Sequence, residues 1–204
     1  MGRFYSRFGK RAFDLAVAVP FSLFFLPVGL LIFVLIKITS PGPGFFYQQR
    51  VGKGAKPFTL LKFRTMTHKN HDASVQLFGG EAEITWLGRW LRRLKLDEMP
   101  QLVNVLRGDM TLVGPRPMLP ATVDETNANC RRRLSVLPGM TGQAQIHGNI
   151  YLTWPERWEY DADYVNSCSL WLDLKIIVGT FAVVFLGEKR FTKPMPSAKG
   201  SPHE

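Results

Sequence analysis

The feature that most constrains this chain is a long apolar run near its N-terminus. The 22 residues from Leu15 to Ile36 carry no formal charge. A helix of that length, at ~1.5 Å per residue, matches the ~30 Å thickness of a bilayer's hydrocarbon core. A secretory signal peptide has a shorter apolar core followed by small residues at a cleavage site, whereas Lys37 and a proline-containing stretch follow here. The run therefore predicts a retained membrane segment.

The flanks of this segment give little information on its orientation. Basic residues precede it at Arg3, Arg7, Lys10 and Arg11, and follow it at Lys37, Arg50, Lys53 and Lys56. Because orientation normally follows an asymmetry in Lys and Arg, matched flanks suggest that both ends face the cytoplasm. Pro20 and Pro27 lie inside the run, and an internal proline kinks or breaks a helix. We predict a re-entrant helix with its break at Pro27; a kinked continuous span stays open, since membrane helices tolerate proline.

Charge and composition limit the class of partner. The 204 residues include 26 Lys and Arg against 16 Asp and Glu, a net charge of +10 that favours nucleic acid, an anionic membrane or a phosphorylated substrate. Cys130 and Cys168 lack the Cys-x-x-Cys spacing, which excludes a disulfide framework and a four-cysteine zinc site. No nucleic-acid-binding module is apparent, so we expect no nucleic acid partner.

Three segments after the membrane run have readable patterns. Phe45–Gln49 and Phe58–Leu61 predict a small β-hairpin, because glycines and a proline separate two apolar runs. The polar stretch from His68 to Gly80 predicts a mobile loop. Ile84 to Leu96 predicts a basic amphipathic helix, which lies either in the bilayer interface or on the protein core; its apolar positions are Leu87, Trp90, Leu91 and Leu94.

A second apolar stretch, Ile176 to Leu186, lies near the C-terminus. Its eleven residues are too few to span a bilayer, so it predicts a core helix or a surface-lying helix.

The candidate chemistry is concentrated in residues 96–117. Asp97 and Glu98 are adjacent, and Asp109 follows Asp97 by twelve residues. Three acids without a nearby histidine or cysteine favour Mg²⁺, with phosphate oxygens completing its shell. Asp97 has an alternative role as the N-cap of a helix through Leu106, with Pro100 in its first turn. The two roles are compatible, because a helix N-terminus also attracts anions.

Three cations accompany these acids. Pro115 and Pro117 fix the backbone on both sides of Arg116, and a rigidly held guanidinium suits bidentate recognition of phosphate. An exposed turn arginine without a role is the alternative. Lys62 and Arg64, at the end of the predicted hairpin, add positive charge near the membrane segment and complete the phosphate-binding candidates.

Nearly the whole chain, from about Phe8 to Leu186, resembles the bacterial sugar transferases, the monotopic polyprenyl-phosphate phosphoglycosyl transferases. The motifs that carry the resemblance are Lys10-Arg11-Ala12-Phe13-Asp14, Leu61-Lys62-Phe63-Arg64-Thr65-Met66, Leu96-Asp97-Glu98, Gln101-Leu102-Val103-Asn104-Val105-Leu106-Arg107-Gly108-Asp109-Met110, Val113-Gly114-Pro115-Arg116-Pro117, Pro138-Gly139-Met140-Thr141-Gly142 and Leu170-Trp171-Leu172-Asp173-Leu174-Lys175.

The resemblance implies an α+β, mainly helical monotopic protein at the cytoplasmic face of the bacterial inner membrane. Residues 1–40 would form the re-entrant helix, 41–190 a catalytic domain with interfacial amphipathic helices, and 191–204 a flexible tail. The implied reaction moves a sugar 1-phosphate from a UDP-sugar to polyprenyl phosphate and releases UMP. Asp97 would be the nucleophile and Glu98 a Mg²⁺ ligand, with Lys62, Asp109 and Arg116 as further active-site residues.

The chain departs from the family pattern in the loop from Pro138 to Asn149. Leu137 and Asn149 stand where the family often has arginine, Gln143 where it has tryptophan, and His147 where it has asparagine. Leu26 precedes Pro27 where the family often has serine. The sequence therefore does not identify the sugar. It does not define the oligomeric state either, although it is compatible with a homo-oligomer. A lipid-binding scaffold is the alternative function, but a scaffold does not need these acids and Arg116 together.

Overall fold

The computed structural model describes residue 5, residues 9–67 and residues 84–193. The fold is mainly helical with two small sheets, as expected for an α+β chain. Its helices of more than one turn and its strands are α1 (Lys10–Thr39), β1 (Phe45–Val51), β2 (Pro57–Phe63), α2 (Trp86–Arg93), α3 (Gln101–Arg107), β3 (Thr111–Val113), α4 (Ala128–Arg133), β4 (Gly139–Thr141), α5 (Gln143–Ile146), α6 (Trp154–Ser167) and α7 (Leu170–Leu186). The predicted loop from His68 to Gly80 and most of the predicted tail lie outside the described residues.

Helix α1 contains the apolar run and is long and apolar enough to cross a membrane, by length and composition. Its backbone stays helical through Pro20 and Pro27, so the segment is one helix rather than two helices separated by a gap at Pro27. Each proline removes only one backbone donor, and the helix is held by contacts near both of its ends. Its middle is largely exposed, at Leu23, Phe24, Leu26, Leu30 and Leu31.

Both ends of α1 dock on the same folded domain. Near the N-terminal end, Arg11 donates to the carbonyl oxygens of Val105 and Leu106 at 2.6 and 2.9 Å. The buried Asp14 accepts from Thr111 Oγ1 at 2.6 Å. Just past the C-terminal end, Arg64 donates to the carbonyl oxygens of Ser40 and Pro41, each at 2.7 Å.

The predicted hairpin is confirmed, with strands two residues longer at each C-terminal end. β1 and β2 pair antiparallel from Phe45 opposite Phe63 to Val51 opposite Pro57. The hairpin packs on α1 and α3 through a core of buried residues that comprises Ala18, Leu60, Leu102, Val105 and Met110.

A second, parallel sheet was not expected from the sequence. β3 pairs with β4, Thr111 opposite Gly139 and Val113 opposite Thr141. The two chains approach so closely that a side chain on Gly139 would collide with the backbone nitrogen of Gly114. Glycine is therefore required here for close approach, and the sheet fixes the start of the loop that carries Arg116.

Helix α2 shows that the amphipathic prediction was only partly right. Thr85 caps it by accepting from Gly88 N at 2.9 Å, and Leu87 and Leu91 are buried against the core. Trp90 and Leu94, which the spacing grouped with them, are exposed. The helix thus has one apolar strip on the core and a second one outside.

Helix α7 begins six residues before the predicted apolar stretch, because Ser169 caps it there. Asp173 consequently lies inside the helix and is fully buried. Its carboxylate accepts from Lys10 Nζ at 2.6 Å and from Tyr164 Oη at 2.8 Å, which ties α7 to the start of α1. The opposite face of α7 is apolar and exposed, at Trp171, Val178, Phe181 and Phe185.

Candidate active site

A cavity of about 630 Å³ contains most of the residues singled out from the sequence. Its walls come from the hairpin, the turn before α3, the Arg116 loop, the start of α6 and the turn after α7. Asp97, Glu98, Lys62, Arg64 and Arg116 all line it. Residues that are far apart in the chain thus form one concave, strongly cationic site.

Asp97 lies in a single 3₁₀ turn, Leu96–Glu98, that follows Lys95 in the left-handed conformation, φ 56°. Helix α3 begins only at Gln101, with Pro100 at the N-cap position, so the prediction that Asp97 caps this helix is wrong. The side chain is 8% exposed, and no described residue donates a hydrogen bond to its carboxylate. Burial, followed by the neighbouring charge of Glu98, raises the pKa of Asp97.

Glu98 is held by two cations. Its Oε1 accepts from Lys62 Nζ at 2.7 Å and from Arg116 Nη2 at 2.6 Å. Burial opposes the charge of Glu98, but Arg116 and Lys62 together hold its pKa well below the usual value. Burial also lowers the pKa of Lys62, against the pull of Glu98. The two adjacent carboxylates therefore differ. Glu98 is held in two ion pairs, whereas Asp97 accepts no hydrogen bond from a described residue.

Arg116 lies between its two flanking prolines with its side chain directed at Glu98, and phosphate recognition by it stays a prediction. Its guanidinium reaches Glu98, whose charge raises the pKa of Arg116. Its own carbonyl oxygen accepts a hydrogen bond from Arg133 Nη2. Arg116 therefore links Glu98 to Arg133, another residue of the cavity.

The structure separates Arg64 and Asp109 from this group. Arg64 lines the cavity, but its guanidinium donates to the two carbonyl oxygens that follow α1, so it fixes the C-terminal end of that helix to the hairpin. Asp109 is not among the cavity residues. Gly108 ends α3 with φ 90°, which turns the chain back so that Asp109 lies 3.4 Å from Asn104 Nδ2. The sequence did not reveal this turn.

Seven further charged residues line the cavity and were not predicted as site residues. They are Arg50, Arg92, Lys95, Arg133, Arg157, Asp161 and Glu188. Burial and the nearby Arg116 lower the pKa of Arg50 to about 10, and burial raises the pKa of Asp161 to about 6. Only the tertiary fold brings these seven residues together.

The comparisons with known proteins agree with the motifs. A family model described as bacterial sugar transferase matches residues 5–187. The chain belongs to the bacterial sugar transferase family. It is 41% identical over 179 residues to the uncharacterized sugar transferase EpsL of Bacillus subtilis, covering 88% of both chains. It is 42% identical to a UDP-glucose:undecaprenyl-phosphate glucose-1-phosphate transferase of Caulobacter vibrioides, over 84% of this chain and 67% of that protein.

Some relatives in this sugar transferase family are much longer. A transferase of the same description in Escherichia coli is 38% identical over 191 residues, and the match spans 40% of its length. Of the four loop positions where this chain departs from the family pattern, only Asn149 lines the cavity. Its Nδ2 donates to Glu188 Oε2 at 3.3 Å, so the departure affects the wall of the site directly.

Proposed function

We propose that this chain is a phosphoglycosyl transferase that moves a sugar 1-phosphate from a UDP-sugar to undecaprenyl phosphate and releases UMP. The observation that carries the proposal is the carboxylate pair, in which Asp97 is free of hydrogen bonds from described residues while Glu98 is fixed by Lys62 and Arg116. Relatives whose names state this reaction support it.

The chemistry divides into two displacements at one phosphorus. A carboxylate oxygen of Asp97 attacks the β-phosphorus of the UDP-sugar, the bond to the bridging oxygen breaks, and UMP leaves with the electron pair. An oxygen of polyprenyl phosphate then attacks the same phosphorus and releases Asp97. A covalent aspartyl intermediate splits one difficult transfer into two easier steps. Lys62, Arg116 and Arg50 stabilise the charge that develops on the phosphate oxygens.

Mg²⁺ fits this donor set. Magnesium in phosphate sites is usually held by one or two carboxylates together with substrate phosphates, and Asp97 and Glu98 supply two adjacent carboxylates. Glu98 would be the protein ligand, since its ionised state is secured. The bound ion would neutralise phosphate charge.

We also propose that α1 enters and leaves the bilayer on the same, cytoplasmic side. Arg11 and Asp14 bind the domain at one end, and Arg64 binds the carbonyls of Ser40 and Pro41 at the other. A helix whose two ends lie on opposite membrane surfaces could not make both sets of contacts with one domain. A bend near Pro27 would allow the exposed middle to dip into lipid.

The exposed apolar residues of α2 and α7 extend this membrane-facing surface. Trp90 and Trp171 suit the headgroup level, where tryptophan is enriched.

The test is UMP release by purified protein with undecaprenyl phosphate, Mg²⁺ and a panel of UDP-sugars. UDP-sugar labelled in the β-phosphate should transfer label to the wild-type protein when the lipid acceptor is omitted, and Asp97→Asn should show neither labelling nor turnover. The scaffold alternative predicts no UMP release with any sugar and unchanged liposome binding by Asp97→Asn. Turnover by Asp97→Asn at the wild-type rate would remove Asp97 as nucleophile.

A further inference from the structure

A second polar part of the cavity consists of Arg133 and Asp161. Arg133 Nη2 donates to the Arg116 carbonyl and also lies 3.0 Å from Asp161 Oδ2. Two arginines therefore connect Glu98 to Asp161. Arg116 binds Glu98, and Arg133 binds both the Arg116 carbonyl and Asp161.

Asp161 is a buried acceptor in the wall of the cavity. Its side chain is 2% exposed, it lines the cavity, and Oδ1 has no hydrogen-bond partner among the described residues. Leaving a buried acceptor unsatisfied is costly, so this oxygen suits a donor on a ligand. Among the groups of a nucleotide, the ribose hydroxyls are such donors.

Trp154 and Arg157 precede Asp161 on α6 by seven and four residues, about two turns and one turn. The guanidinium of Arg157 lies 4.6 Å from the centroid of the Trp154 ring, and both residues line the cavity. Trp154 is 38% exposed, which leaves ring surface free for a planar base. A nucleotide base can stack with its π-face on an aromatic side chain.

The charge balance of the cavity also favours an anionic nucleotide. Glu98 is paired with both Lys62 and Arg116, which leaves one positive charge in excess, and Asp161 pairs with Arg133. Within the described residues, Arg50 and Arg157 form no ion pair with a carboxylate; their bonds go to Gln48, Pro117 and Leu152. Two arginines without counter-ions suit phosphate oxygens.

We propose that Asp161, Trp154 and Arg157 form the nucleoside subsite of this cavity, in which Asp161 accepts the ribose hydroxyls and Trp154 carries the base. The inference deepens the proposed function and rests on it for the identity of the nucleotide. It makes Asp161 a binding residue rather than a purely structural partner of Arg133.

The test measures binding of UMP, 2′,3′-dideoxy-UMP, ribose 5-phosphate and pyrophosphate to the full chain in detergent. Wild type should bind UMP about tenfold tighter than dideoxy-UMP, or about 1.4 kcal/mol. Asp161→Asn should bind both at the weaker level and keep its affinity for pyrophosphate. The matched control is Asp163→Asn, two residues along α6, whose carboxylate accepts from Gln143 outside the cavity; it should behave as wild type.

Trp154→Leu gives an independent measurement, because Asp161→Asn removes the ion-pair partner of the buried Arg133. This variant should lose about tenfold in affinity for UMP and for dideoxy-UMP, and retain ribose 5-phosphate binding. Equal wild-type affinity for UMP and dideoxy-UMP, or an unchanged ratio in Asp161→Asn, would overturn the subsite. Turnover by Asp97→Asn would overturn the proposed nucleophile instead and leave these binding ratios intact.

Discussion

Asp97→Asn and Glu98→Gln are expected to change stability in opposite directions, although each exchanges one carboxylate for an amide. Glu98 is 13% exposed and lies against Lys62, 16% exposed, and Arg116. Breaking a fully buried ion pair costs about 3–5 kcal/mol and an exposed pair under about 1. Glu98→Gln leaves two partly buried cations without a counter-charge, so we expect a loss of about 2–3 kcal/mol. In a chain of this size that lowers the unfolding midpoint by about 4–12 °C.

For Asp97, the expected effect of the substitution on stability has the opposite sign. Burial and Glu98 raise its pKa above the unfolded value, so the ionised form destabilises the fold. The stability contributed by such a carboxyl is present below the unfolded pKa and is lost as pH rises through the folded pKa. Asparagine has no charge to bury and forfeits no described hydrogen bond. The midpoint of Asp97→Asn should therefore equal or exceed that of wild type at pH 8, and the difference should shrink as pH is lowered past the pKa of Asp97.

The assay pairs thermal unfolding, followed by tryptophan fluorescence in detergent, with UMP release by the same preparations. Asp97→Asn should lose at least ~10³ in turnover, about 4 kcal/mol of barrier lowering, while staying as stable as wild type. Asp163→Asn is the control for the replacement of an aspartate by an asparagine outside the cavity. A midpoint for Asp97→Asn several degrees below wild type at pH 8 would refute the reasoning, because Asp97 would then form a stabilising contact.

Three further outcomes follow from the same geometry. The raised pKa of Asp97 requires that kcat/KM for the UDP-sugar fall on the acid side at a higher pH than for an ordinary aspartate, and a pH profile measures this. Gly139→Ala should unfold or strongly destabilise the chain, because its Cβ meets the Gly114 backbone, whereas Gly54→Ala, with open space around it, should cost about 1 kcal/mol; thermal unfolding compares them. An impermeant thiol reagent should label Gly2→Cys and Lys56→Cys, in a background without native cysteines, from the same membrane side; opposite sides would leave a bitopic helix.

The sequence was most informative where a local pattern decides the structure. Alternating apolar runs between glycines predicted the hairpin, and two prolines predicted a fixed Arg116. Both predictions depend on nearest neighbours along the chain.

Predictions that depended on tertiary contacts were weaker. The left-handed Lys95 and the N-cap Pro100 place Asp97 outside α3, a detail that residue preference could not show because aspartate is also a good N-cap. Trp90 and Leu87 share a helical periodicity, yet Leu87 is buried against the core and Trp90 is exposed, which spacing alone could not distinguish.

The hairpin connects the membrane helix to the reaction site. Lys62 and Arg64 lie two residues apart at the end of β2, one bound to Glu98 and the other to the carbonyls that follow α1. A displacement of α1 relative to the domain would therefore move the strand that holds Lys62 against the carboxylates. If α1 is embedded in the bilayer as proposed, this short linkage would set the depth of the phosphate site, so that a polyprenyl chain could stay in the membrane while its phosphate reacts.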